Sequence, residues 1–123
     1  MKFYKNIIVS SNNSFVDVFT QVNEALKNYK VVHITVHNYH DDNFLMIFYD
    51  KLTEKLGCCQ KKTEDGRTNK IIEGKWYEVC FDPNVKNAFR HSKNHQPLHT
   101  DFSYISPSPN FTLMYCLKPA PSD

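Results

Sequence analysis

Glycine is scarce: the 123-residue chain has three, at positions 57, 66 and 74. So few leave no room for a glycine-rich loop whose backbone could cradle a phosphate or dinucleotide. Long apolar runs are also missing. The N-terminal "MKFYKNIIVSSNN" holds only Ile7 to Val9 as an uninterrupted apolar stretch, too short for a secretory signal or a membrane span. A cytoplasmic location without a membrane partner is therefore expected. Charge of one sign is absent too, with 15 basic against 13 acidic residues and a net charge of +2. That balance argues against nucleic acid or an anionic surface as the main partner. The four cysteines, at 58, 59, 80 and 116, do not follow a zinc-ribbon spacing, and free thiols are expected in a reducing compartment.

What the chain has is aromatic side chains: nine Phe, seven Tyr and one Trp. Core formation should lean on rings. With 41% hydrophobic and 23% charged residues, one folded domain over residues 1–123 is expected.

Periodicity supplies the elements. A short strand is predicted at Lys5 to Val9. Ser14 is a candidate helix N-cap with Asp17 as its capping-box partner, and Phe15, Val18, Phe19, Val22, Ala25, Leu26 and Tyr29 then recur on one helical face. "VVHITV" is β-branched and reads as a strand. A second helix should start near Asp42, read as an N-cap, bury Phe44, Leu45, Ile47, Phe48, Leu52 and Leu56, and stop at Gly57. Residues 61–69 read as a polar loop with an Asp65-Gly66 turn. "KWYEVCF" and "FTLMYCL" alternate like strands, the first ended by Asp82-Pro83. The expected class is α+β, with the helices packed on a mostly antiparallel sheet.

Chemistry concentrates in "HQPLHTDFSY", residues 95–104. His91, His95 and His99 are spaced four apart, but Pro97 breaks the helix that such a metal site would need. In extended backbone, positions i and i+2 share a face, so His99 and Asp101 would project together. A neutral imidazole and a carboxylate on one side form two of the three ligands of a 2-His-1-carboxylate Fe(II) site. The pair alone is a weak signal, since His40-Asp41-Asp42 also matches it.

The surrounding residues carry more. "LHTDFSY" followed by "PSPNFTLMYCLKPAPSD" resembles the TauD/TfdA-like Fe(II)/2-oxoglutarate-dependent oxygenases. "KNYKVVHI", "KLTEKLG" and "EGKWYEVCFDP" are similar to that family's N-terminal region. The resemblance implies a double-stranded β-helix (jelly roll) of the clavaminate synthase-like type, present here as its N-terminal portion. It also implies Fe(II) held by His99 and Asp101, 2-oxoglutarate as cosubstrate, and oxidation of a small molecule. Asn94, His95 and Tyr77 are candidate substrate contacts, and Trp76 is a core residue. The histidines at 33, 37, 40, 91 and 95 match no ligand of the family. A third ligand and a cosubstrate-binding arginine would follow further on, whereas no arginine follows Arg90 and no histidine follows His99. The 123 residues alone are therefore expected to be inactive, with open strand edges prone to self-association or to pairing with a C-terminal half. The alternative is a degenerate oxygenase or binding module in which the pair is incidental.

Overall fold

The computed structural model of the chain describes residues 1–38, 41–61, 68, 70–85, 91–100 and 106–118, and the backbone of 62–64. The element order begins β1 (Lys2–Val9), α1 (Phe15–Asn28), β2 (Tyr29–Val36), α2 (Asp42–Leu56). Short strands β3 (Lys62–Glu64) and β4 (Ile71–Glu73) follow. Among the described residues this is a small α+β fold with two helices and two short two-stranded sheets. The residues fall into two compact units, one formed by Met1–Cys58 with Tyr115–Asp123 and the other by Cys59–Met114.

In the first unit, α1 starts as the sequence predicts. Ser14 Oγ accepts from the Asp17 N–H at 3.1 Å, and the Asp17 carboxylate takes the Ser14 N–H at 3.3 Å. Two of the helix's orphan donors are thus satisfied, an arrangement worth about 1 kcal/mol for the N-cap side chain. Val18, Val22 and Ala25 are buried on its inner face, joined by Ile7 and Val9 of β1. Leu26, Tyr29, Val32, Ile34, Phe48 and Leu56 close around them.

The sheet of this unit corrects the expected strand direction. β1 and β2 pair in parallel, from Lys2 opposite Tyr29 to Val9 opposite Val36. The cause is α1 itself, a 14-residue crossover that carries the chain back before the second strand begins, which makes a β-α-β unit. Ile7 and Val9 turn toward α1, while Tyr4, Asn6 and Ile8 line the opposite face with Val31, His33 and Thr35. There Tyr4 Oη lies 3.1 Å from His33 Nδ1, and Thr35 Oγ1 donates to Asn6 Oδ1 at 2.9 Å.

α2 starts at Asp42, as expected, but its cap lies one residue earlier. Asp41, not Asp42, is the N-cap: its carboxylate accepts from the Asn43 N–H at 2.9 Å, and its carbonyl accepts the Leu45 N–H at 3.2 Å. The buried stripe is also narrower than predicted. Leu45, Tyr49 and Leu52 are buried, whereas Phe44 and Ile47 are 49% and 58% exposed. At about 100° per residue, position 47 lies nearly opposite 45 and position 44 a quarter-turn away. Phe48 instead meets Phe15 edge to face, with ring centroids 5.5 Å apart.

Asp42 has a different partner. Tyr115 Oη donates to its Oδ1 at 2.9 Å, and the Tyr115 ring lies 5.3 Å from that of Tyr49. Burial first, then the bond to Asp42, pushes the Tyr115 phenol from its ordinary 10.0 up to about 12. The unfolded chain releases that proton near pH 10 while the fold retains it. Stability from this group is therefore full below pH 10 and is lost as pH rises through about 12. Denaturant midpoints measured across that window should fall more steeply for the wild type than for Tyr115→Phe.

In the second unit, β3 and β4 pair antiparallel with Lys62 opposite Glu73 and Glu64 opposite Ile71. Part of the predicted polar loop is thus a hairpin, and the Asp65-Gly66 turn lies outside the described residues. Neither residues 75–81 nor 111–117 form a strand. Around Trp76 the burial does vary along the chain, with Tyr77, Val79 and Phe81 exposed and Cys80 half-buried. Alternation makes a strand only where another chain segment supplies a ladder.

Candidate functional site

The second unit carries every described candidate residue. Asp82 begins a turn that contains Pro83: its carbonyl accepts the Val85 N–H at 3.1 Å and its carboxylate the Asn84 N–H at 3.0 Å. Proline at the second position of such a turn has its φ already set. The segment is then held by His91, 2% exposed. His91 donates from Nδ1 to the Cys80 carbonyl at 3.0 Å, and its own carbonyl accepts the Asp82 N–H at 2.8 Å. One residue thereby satisfies two backbone groups of residues 80–82. His91 is a buried residue that ties this segment together.

Beyond His91 the chain runs along the surface. Lys93 places its ammonium 4.5 Å from the centroid of the Phe81 ring, within the range of a cation–π contact. Asn94 is exposed, and its N–H is accepted by Ser92 Oγ at 3.2 Å. His95 is exposed, Tyr77 is 39% exposed and Trp76 is half-buried.

His99 is exposed as well, and residues 98–100 form no strand. Its imidazole is engaged from its own loop. Nδ1 lies 2.9 Å from the Pro97 carbonyl oxygen and Nε2 lies 3.1 Å from Gln96 Nε2. Asp101, the expected second ligand, lies outside the described residues. Among the described residues no three His, Cys, Asp or Glu side chains cluster as a metal site.

The donor chemistry at His99 fits a metal ligand. A carbonyl oxygen accepts only, so Nδ1 carries a proton, and in the neutral imidazole Nε2 then holds the lone pair. Metal-bound histidines commonly have their other ring nitrogen tied in this way. Sequence reading passed over Gln96 and the Pro97 carbonyl. The signal was the local spacing Gln-Pro-x-His, in which proline stiffens the residues leading to the imidazole.

No helix among the described residues is long and apolar enough to cross a membrane. Comparison with family models, curated proteins and solved structures yields no match for this chain.

Proposed function

We propose that the chain is the N-terminal part of an Fe(II)/2-oxoglutarate-dependent oxygenase of the TauD/TfdA-like type. In this reading His99 and Asp101 are its first two metal ligands. The observation that carries the reading is the His99 imidazole: it is solvent-exposed and tied through Nδ1 to the Pro97 carbonyl, two residues ahead of a carboxylate in the sequence. Nitrogen and carboxylate oxygen are a donor set that suits Fe(II).

Iron, when bound, would supply dioxygen chemistry and chelate 2-oxoglutarate. The chain's own part is to hold the imidazole in one tautomer, offset the metal's charge with Asp101 and bring a small-molecule substrate alongside. Asn94, His95 and Tyr77 are the proposed substrate contacts. The resemblance assigns the third ligand, the cosubstrate's arginine and the rest of the double-stranded β-helix to segments C-terminal to one like "LKPAPSD".

Mn(II) in place of Fe(II) tests this without turnover. Calorimetric titration should give weak one-to-one binding, reduced about tenfold or more by His99→Ala and likewise by Asp101→Ala. Replacement of His33 or His37 should leave it unchanged. Equal affinity in wild type and His99→Ala would end the metal reading.

A further inference from the structure

Charge in the first unit is segregated in a way that the balanced total conceals. β1 and β2 carry Lys2, Lys5 and Lys30 and no acid, while every carboxylate of Met1–Cys58 lies on α1, on α2 or at the α2 cap. Among the described residues no carboxylate pairs with any of these three lysines. The same strands leave apolar surface uncovered: Phe3 is 70% exposed, Tyr4 52%, Ile8 62% and Val31 41%. α1 packs on one face of the pair, and β1 has no neighbour on its outer edge among the described residues. Parallel strands are ordinarily covered on both faces, and two strands are fewer than a sheet needs to be stable by itself. The outer edge of β1 thus combines open backbone groups, apolar side chains and charge of one sign.

We infer that β1 is a docking edge for an extended acidic peptide, which adds to it as a third strand. Side chains alternate between faces along a strand, so Lys2 shares the face of Tyr4 and Ile8, and Lys5 lies on the α1 face. A fitting segment carries two acids at the spacing of Lys2 and Lys5, one for each lysine, and β-branched residues to lie along Ile8. A second copy of the chain fits poorly, because its β1 would bring lysine to an edge that already carries lysine. Single-stranded nucleic acid fits poorly as well. Tyr4 and His33 are tied to each other at 3.1 Å with their rings tilted by 38°, which leaves no flat platform for successive bases. The inference does not involve His99 and stands apart from the metal reading.

Fluorescence anisotropy on the full chain tests it, with labelled peptides of the length of β1. One probe sets two glutamates at the Lys2–Lys5 spacing in a background of valine and threonine, and the other has lysines in their place. The glutamate probe should bind about tenfold or more tightly than the lysine probe. Lys2→Glu combined with Lys5→Glu, both at exposed positions, should reverse that order. A third strand offers β1 the backbone donors of every second residue. Methylating alternate backbone nitrogens of the glutamate probe should therefore abolish binding in one of the two possible settings. A glutamate probe that does not bind, an unreversed order in the double variant, or full binding by both methylated probes overturns the docking edge. So does tighter binding of an oligothymidylate, or a wild-type dimer in sedimentation that Ile8→Lys dissolves.

Discussion

Val18→Asp should abolish the helical circular-dichroism signal, because it puts a carboxylate at the centre of the first unit's core. Val18 is 0% exposed and packs among Ile7, Val9, Val22 and Ala25. None of these side chains offers a hydrogen bond or an opposite charge. An unpaired carboxylate there costs about 4 kcal/mol or more, a large share of the roughly 5–15 kcal/mol that holds a domain together. Both described helices belong to this unit, so the signal at 222 nm reads the loss directly. Val18→Ala, which only removes two carbons, should cost about 2 kcal/mol and keep a cooperative melt. Val16→Asp is the control. Val16 is 67% exposed in the first turn of α1, where an acid suits the helix dipole, and its effect should stay within about 0.5 kcal/mol. A helical Val18→Asp protein with an unchanged melting point would mean that this core is drawn wrongly.

His91→Ala should be the most damaging single truncation in the second unit. It removes a buried ring and leaves the Cys80 carbonyl without the Nδ1 donor at 3.0 Å. The cavity and the lost hydrogen bond together should cost roughly 2–4 kcal/mol. Trp76 is the chain's one tryptophan and lies in the same unit, so its fluorescence reports the loss. The denaturant midpoint followed at Trp76 should drop sharply for His91→Ala. His91→Asn, whose amide can stand in for Nδ1, should recover part of it. Replacing His95, which is exposed, should leave the midpoint where it was. An unshifted midpoint in His91→Ala would remove the imidazole from its assigned role.

The contrast between those two histidines marks what a sequence can and cannot disclose. Ser14 and Asp17 could be read as a capping box because the whole device spans four residues. The apolar spacing of α1 and the β-branched "VVHITV" are likewise local. The parallel pairing of β1 with β2 was within reach as well, since a helix between two strands brings the chain back to the same edge. Phe44 and Ile47 misled because they are apolar on a helix whose stripe is set by Leu45, Tyr49 and Leu52. The stretches 75–81 and 111–117 misled because alternation does not specify a pairing partner. Nothing near His91 announces its burial: its acceptor is a backbone carbonyl eleven residues away, and backbone groups carry no sequence signature.

At the candidate site the balance is similar. His99 stands out by its neighbours in "LHTDFSY", and its spacing to Asp101 is a property of the sequence. The tautomer is not, because it depends on which atoms approach the ring. Only with the Pro97 carbonyl in place does Nε2 become the nitrogen that, on the proposed reading, would meet a cation.

Pulsed electron paramagnetic resonance on the Mn(II)-loaded chain reads that nitrogen most directly. The spectrum should carry nitrogen modulation from one directly bound imidazole. The modulation should vanish in His99→Ala and persist when His91 or His95 is replaced. Modulation that survives in His99→Ala, or that is absent from the loaded wild-type chain, would contradict the account.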